Sequence, residues 1–214
     1  MIHLYHCADA RSFRALWALE ELGLDYELTV MPFPPRVLAK EYKEINPLGT
    51  IPAMIDGQTF MTESAAIVQY LVTRYGPSSL AVAVDDPAYG AWLNWLHFGE
   101  ATLTFPQTLV LRYRRQEPGR AEVVADDYAK WFLARLRAVD RALQDQDWLC
   151  AGRFTAADIS VGYALLLAAQ IGFEPEFSPA IAAYWARLQA RPGFKAAKAS
   201  QRRHAPEGAA SSSI

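Results

Sequence analysis

The chain has 214 residues, of which 52% are hydrophobic and 21% charged, so it is long enough to bury a sizeable core. Its 21 basic and 23 acidic residues nearly cancel, which argues against a broad electrostatic surface for nucleic acid or an anionic membrane. Its two cysteines lie far apart in sequence, which is typical of a protein of the reducing cytoplasm rather than of a disulfide scaffold.

The first third of the chain alternates between strand and helix patterns. Residues 2–5 predict a short strand. Apolar residues at steps of three and four along residues 13–22 then predict a helix with one buried face. A second strand is expected over residues 26–30, and a weaker helix over residues 36–45.

Two short apolar runs then flank Asp56 and Gly57. An Asp-Gly pair in this setting predicts an antiparallel hairpin with positive φ at both turn positions. A further helix is expected to begin at Ser64 and to end before Gly76 and Pro77. Two crossover-linked strands followed by a hairpin and a helix are typical of a thioredoxin-like domain.

The rest of the chain has helical patterns, which predicts a change of architecture after a linker rich in Gly, Pro, Ser and Asp. Thr155 and Asp158 have the spacing of a helix cap, so we interpret them as structural residues. The apolar helix that follows, residues 159–171, is too short to span a bilayer. The predicted divisions are a first domain of residues 1–76, a linker of residues 77–86, an all-helical domain of residues 87–204 and a disordered tail of residues 205–214.

Four further segments of the chain have recognisable motifs: residues 12–22 (SFRALWALEEL), 46–53 (NPLGTIPA), 62–67 (TESAAI) and 154–159 (FTAADI). In this order and at this spacing they resemble the cytosolic glutathione transferase superfamily. The resemblance implies an α/β thioredoxin-like N-terminal domain plus an all-α C-terminal domain, the glutathione transferase fold. It also implies glutathione as a co-substrate.

The resemblance further implies a set of glutathione-binding residues. Pro52 is expected to follow a cis peptide bond, so that the backbone of Ile51 pairs with the cysteinyl part of glutathione. The hydroxyl and backbone of Ser64, at a helix N-terminus, are expected to receive the γ-glutamyl carboxylate, while Glu63 holds the ammonium group. The complete set implied is Arg36, Lys40, Thr50, Ile51, Pro52, Glu63 and Ser64, with Arg36 and Lys40 as candidates for the glycine carboxylate or as exposed helix charges.

The group that would activate the thiol is expected between Cys7 and Ser12. Ser12 is the hydroxyl nearest to the expected position of the thiol, and it is equally well interpreted as a serine that caps the helix. Arg11 would offer a positive charge to a thiolate. Cys7 is a candidate for a mixed disulfide with glutathione, or a buried thiol at the end of a strand. By resemblance, Asp9 occupies the place of the serine of serine-type families, and Arg11 that of the cysteine of a bacterial class.

Glu100, Thr102 and Phe105 fall where the family's first long helix of the second domain lines the acceptor site, although an aromatic at this spacing also suits a core. The predicted activity is glutathione transfer to a small hydrophobic electrophile by a cytoplasmic homodimer, without a metal, nucleic acid or membrane partner. One alternative is a glutathione-dependent isomerase, peroxidase or disulfide-exchange enzyme. Another is a non-catalytic glutathione-transferase-like binding module.

Overall fold

Residues 1–205 are described by the computed structural model, and their strands form a four-stranded mixed sheet. The strands are β1 Ile2–Cys7, β2 Tyr26–Met31, β3 Ala53–Asp56 and β4 Thr59–Met61, arranged in the order β2-β1-β3-β4. β1 and β2 are parallel, whereas β3 is antiparallel to both β1 and β4. This topology confirms the predicted thioredoxin-like arrangement.

The hairpin between β3 and β4 forms where it was predicted, but its turn differs in detail. Asp56 pairs with Thr59, so the two turn residues are Gly57 and Gln58. Gly57 has a φ of 58°, a conformation that glycine adopts without steric penalty. The predicted positive φ at Asp56 is wrong, because Asp56 is the last residue of β3 and keeps the conformation of the strand.

Within residues 1–81 the helices are α1 Phe13–Leu22, α2 Pro35–Leu38 and α3 Ser64–Arg74. α1 buries the apolar face that its spacing predicted, and it ends at Gly23, whose φ of 62° closes the helix. The weaker helix predicted over residues 36–45 is divided into α2 and a 3-10 segment at Lys40–Glu44. The division occurs because Ala39, which is buried, leaves the helical conformation.

Residues 82–188 form a second compact unit, in which the described elements are helical as predicted. Its helices are α4 Tyr89–His97, α5 Phe105–Leu111, α6 Glu122–Ala142, α7 Ala156–Gln170 and α8 Pro179–Ala190, the last of which continues two residues past the unit. Two π-helical segments, Phe98–Thr104 and Arg112–Gln116, follow α4 and α5 without interruption, and a 3-10 turn lies at Glu174–Glu176.

The first π-helical segment allows a very close approach to α7. A Cβ atom on Gly99 would lie 2.4 Å from the Ser160 Oγ and 2.5 Å from the Ser160 carbonyl carbon. The Ser160 hydroxyl donates to the Leu96 carbonyl at 2.6 Å, and the Thr104 hydroxyl donates to the Gly99 carbonyl at 2.7 Å. Both hydroxyls therefore satisfy carbonyls where the helix departs from regular α geometry.

The predicted cap of α7 is confirmed in its atomic detail. The Thr155 hydroxyl accepts the Ala157 N–H at 3.3 Å, and the Asp158 carboxylate accepts the Thr155 N–H at 2.8 Å. The same carboxylate accepts the Tyr184 hydroxyl at 2.8 Å and the Leu149 N–H at 3.1 Å. These bonds give Thr155 and Asp158 the structural role that the sequence indicated.

The final helix, α9 Pro192–Arg203, belongs to the N-terminal unit, which comprises residues 1–81 and the described residues from Gln189 onward. This finding differs from the predicted helical domain of residues 87–204, whereas the first boundary, after Ala81, lies within the predicted linker of residues 77–86. The predicted tail of residues 205–214 lies, apart from Ala205, outside the described residues.

Side-chain contacts explain why α9 joins this unit. The ring of Phe194 meets Phe13 and Trp17 edge-on, with centroid separations of 5.3 and 5.0 Å. Arg191 forms a bidentate ion pair with Glu21, at 2.7 and 2.8 Å. Edge-to-face rings and a bidentate pair both stabilise the packing of α9 on α1. Along residues 1–205, every helix falls short of the length and apolar character that a membrane crossing requires.

Candidate functional site

Three connecting segments meet at one end of the sheet, where the strands begin or end. β1 ends at Cys7, and its residue Tyr5 lies opposite Ala53, the first residue of β3. β4 is antiparallel to β3, so its last residue, Met61, lies at the same end of the sheet as the start of β3. The loop after β1, the segment before β3 and the start of α3 therefore lie side by side. Ile51 precedes the paired residues of β3, so its backbone lies beyond both ladders.

The segment before β3 is held by a small set of polar side chains. The Thr50 carbonyl accepts hydrogen bonds from the Tyr42 hydroxyl and the Asn46 amide, both at 2.8 Å. The Asn46 amide also lies 3.1 Å from the Thr50 hydroxyl. The peptide bond between Ile51 and Pro52 is cis, as the resemblance implied. Tyr42 and Asn46 were not identified from sequence as supports of this segment, although Asn46 opens the NPLGTIPA motif.

Ser64 is the first residue of α3, and Glu63 precedes it in an extended conformation. The first N–H groups of the helix face outward from its end, which makes this a site for a carboxylate. The Ser64 hydroxyl accepts a hydrogen bond from the Arg14 guanidinium at 3.2 Å. Arg14 is fully buried. Sequence patterning missed it, although an arginine inside the apolar stripe of α1 was the available signal.

Cys7 is a buried thiol rather than a reactive one. Its side chain is fully buried, and its Sγ lies 3.5 Å from the Pro32 carbonyl, to which it donates. Burial raises the pKa of the Cys7 thiol to about 12. Because only the thiolate attacks a disulfide, this environment disfavours the prediction that Cys7 exchanges with glutathione.

Ser12 also lies inside the protein, with its hydroxyl engaged. The hydroxyl is 2.7 Å from His6 Nδ1 and accepts the Cys7 N–H at 3.2 Å. Burial lowers the pKa of His6 to about 4, so the imidazole is neutral at physiological pH. His6 Nε2 donates to the side-chain oxygen Oε1 of Gln201 at 3.0 Å, which leaves Nδ1 to accept the Ser12 proton. The Ser12 hydroxyl therefore stabilises the loop through both of these contacts.

The three basic candidates lie at different places. Arg11 is partly exposed in the loop before α1, and Arg36 is exposed in α2. A Cβ atom on Gly49 would lie 2.7 Å from the Arg36 Cβ, so Arg36 stands directly beside the segment that carries Ile51. Lys40 is exposed at the start of the 3-10 segment. The structure thus brings Arg36 to the candidate glutathione site.

The predicted acceptor residues belong to the helical unit. Thr102 lines a groove of about 350 Å³, together with Leu93, Asn94, His97, Phe98 and Ala101. Phe105 is half exposed and packs edge-on against Tyr128 at 6.1 Å. Glu100 lies in the π-helical segment, two residues before Thr102. Among residues 1–205, no group of three or more His, Cys, Asp or Glu is arranged to hold a metal ion.

Two family models match the chain. The glutathione S-transferase N-terminal domain matches residues 4–79, and the glutathione S-transferase C-terminal domain matches residues 102–192.

Curated relatives agree with these matches. Glutathione S-transferase 3 of Schizosaccharomyces pombe is 38% identical over 103 residues, which are 48% of this chain and 43% of that protein. The chain therefore matches less than half the length of this relative. Glutathione S-transferase GstA of Escherichia coli O157:H7 is 29% identical over 192 residues, which are 88% of this chain and 93% of that protein.

Solved structures show the same fold. The glutathione transferase URE2P6 from Phanerochaete chrysosporium, in complex with oxidized glutathione, superimposes with a TM-score of 0.83 at 28% identity. It covers 95% of this chain and 97% of its own. URE2P8 from the same fungus, also with oxidized glutathione, gives a TM-score of 0.82 at 25% identity and covers 94% and 95%.

Proposed function

The chain belongs to the cytosolic glutathione S-transferase superfamily, and we propose that it activates glutathione as a thiolate for attack on small electrophiles. One observation carries the proposal. Three segments meet at the same end of the sheet: the Ile51–Pro52 segment, the Ser64 end of α3 and the loop after β1. A tripeptide thiol needs a carboxylate site, a backbone partner and a thiol-activating environment, and these three features supply one each.

Each end of glutathione finds a complementary group in this proposal. The γ-glutamyl carboxylate binds the Ser64 N–H and hydroxyl at the positive end of α3, while the Glu63 carboxylate pairs with the ammonium group. The cysteinyl backbone pairs with Ile51 as an added strand pairs with a sheet edge. Arg36, placed beside Gly49, binds the glycine carboxylate, with Lys40 as the second cation and Thr50 completing the same segment.

The thiol environment follows from the loop after β1. A free thiol has a pKa near 8.5, and each unit of depression needs about 1.4 kcal/mol. Ser12 and Cys7 are buried, so we assign this stabilisation to the Arg11 charge and to the positive end of the α1 dipole. A fixed dipole and a positive charge lower the pKa of a thiol because they stabilise only its ionised form.

We further propose a small hydrophobic electrophile as the second substrate, the cytoplasm as the compartment and a homodimer as the assembly. The resemblance supports all three, and both cysteines are free and buried, as a reducing compartment allows. Light scattering at micromolar concentration should give twice the chain mass of 23.9 kDa. A mass of one chain at every concentration would contradict the dimer.

A second function is favoured by one observation, the burial of both Ser12 and Cys7. Without an accessible hydroxyl or thiol in this loop, the site also suits a module that binds glutathione without activating it. Isothermal calorimetry combined with the ultraviolet absorbance of bound thiolate separates the two functions. Binding with a thiolate signal at neutral pH supports the transferase, whereas binding without that signal supports the module.

The Ser64→Ala variant should bind glutathione more weakly by about 1–3 kcal/mol, the scale of a charge-assisted hydrogen bond. Isothermal calorimetry measures this loss. Ser64→Thr keeps the hydroxyl and should retain most of the affinity. Thr73→Ala, at the far end of α3, removes an exposed hydroxyl that bonds the Gln69 carbonyl, and it should leave affinity unchanged. Equal affinity in parent and Ser64→Ala would remove α3 from the binding site.

A further inference from the structure

A buried set of polar contacts joins α9 to the loop between β1 and α1. The Asp9 carboxylate accepts hydrogen bonds from Lys198 Nζ at 2.7 and 2.8 Å. It also accepts one from Gln201 Nε2 at 2.7 Å. Asp9 and Gln201 are 6% and 4% exposed, so the surrounding protein shields the carboxylate from water, whereas the Lys198 side chain is 27% exposed. Phe13 lies 5.8 Å from the Lys198 ammonium and covers it on one side.

Asp9 is held in an uncommon backbone conformation. Its φ is 56°, in the left-handed region that residues with a side chain seldom occupy. The Asp9 N–H donates to the side-chain oxygen Oε1 of Gln201 at 3.2 Å. Both the backbone and the carboxylate of Asp9 are therefore fixed by α9. A residue stays in this conformation only when its surroundings over-determine it.

The same contacts extend to the end of β1. The Gln201 Oε1 also accepts from His6, whose Nδ1 is hydrogen-bonded in turn to the Ser12 hydroxyl. The loop is thus tied to α9 through Asp9 and through His6. Its residue Ala10 lies in the same apolar cluster as Ile51, whose backbone would pair with the cysteinyl part of glutathione.

We propose that Lys198 and Gln201 are positioning residues for thiolate formation, because they fix Asp9 and thereby hold the Arg11 charge and the start of α1 beside the sulfur of glutathione. This inference rests on the proposed transferase function. It assigns to the last helix of the chain a role in activating a thiol that the loop before α1 surrounds. Neither Lys198 nor Gln201 needs to touch glutathione for this role.

The test uses the full-length protein and the ultraviolet absorbance of bound glutathione thiolate as a function of pH. Lys198→Met should raise the apparent pKa of the bound thiol and lower turnover at neutral pH by about tenfold to a hundredfold, the scale of a misplaced active-site group. Glutathione affinity should change less than threefold, since the Ser64 and Ile51 contacts remain. Lys195→Met, which removes an exposed lysine one turn earlier on α9, is the matched control and should behave as the parent.

Asp9→Asn distinguishes positioning from a direct effect of charge. Asparagine tolerates the left-handed conformation but loses the ion pair with Lys198. If charge acted directly, removing this negative group would stabilise the thiolate and lower its pKa. If α9 positions the loop, Asp9→Asn should raise the pKa as Lys198→Met does, while Lys198→Arg keeps the pair and restores the parent titration.

The outcomes separate this inference from the proposed function. A parent protein that binds no glutathione, or shows no bound thiolate, overturns the transferase and the positioning role together. A parent that titrates normally while Lys198→Met and Asp9→Asn titrate identically to it overturns the positioning role alone. Thermal unfolding confirms that each variant is folded before its titration is compared.

Discussion

We expect Gly99→Ala to lower the free energy of unfolding by about 3 kcal/mol, because an added methyl would meet the backbone of a neighbouring helix. The new Cβ would lie 2.4 to 2.6 Å from the Ser160 hydroxyl, carbonyl carbon and carbonyl oxygen. Rotation of a side chain cannot relieve contacts with backbone atoms, so the π-helical segment and α7 would have to separate. Urea unfolding followed by circular dichroism measures the loss.

Gly90→Ala is the matched control, since it adds the same methyl to α4 in the same unit. No heavy atom lies within 4 Å of its ideal Cβ position, and alanine has a better helix propensity than glycine. This variant should be as stable as the parent, or more stable by up to about 1 kcal/mol. Removing the hydroxyl with Ser160→Gly should restore only part of the loss in Gly99→Ala. Equal midpoints for Gly99→Ala and the parent would contradict the close approach.

The second large effect that we expect is a loss of stability in acid, which depends on the buried imidazole of His6. Burial lowers the pKa of this imidazole from 6.5 to about 4. Between these values the unfolded chain binds a proton that the native side chain does not, so acidification favours unfolding. At about 1.4 kcal/mol per pH unit, His6 should remove about 3 kcal/mol from the free energy of unfolding as the pH falls from 6.5 to 4.

A variant without the imidazole isolates this contribution. Asp158 acts in the opposite direction, because burial raises its pKa from 3.8 to about 6 and its native carboxyl takes up a proton first. Both parent and variant carry Asp158, so its effect cancels in their difference. The stability advantage of the parent over His6→Asn and over His6→Gln should shrink by about 3 kcal/mol from about pH 7 to about pH 4. A difference that stays constant with pH would refute this assignment.

The sequence predicted local elements well where a single periodic pattern decided them. The stripe that ends at Leu22 and Gly23 predicted α1 and its termination, and the Asp56-Gly57 pair predicted the hairpin. The periodic pattern did not identify Arg14 as a buried residue, because a charged residue in an amphipathic helix is expected to face water. Arg14 is buried with a partner 50 residues away, and periodicity carries no information about such a pair.

The candidate site shows the same limit. The motifs predicted the Ile51–Pro52 segment and the start of α3, since each depends on neighbouring residues. The direction of the Ser12 hydroxyl depends instead on His6 and on Gln201, which is 195 residues from His6. Likewise, the helical pattern after the linker does not indicate which surface α9 covers.

The packing of α9 on α1 also sets an order of events during protein synthesis. The ribosome makes residues 1–81 first and α9 only after the whole helical unit. At a synthesis rate of about 5–20 residues per second, Phe194 is made on the order of ten seconds after Phe13 and Trp17, the two residues that its ring contacts. The nascent N-terminal unit must therefore stay soluble in an unfinished form, and the unit that is begun first is completed last.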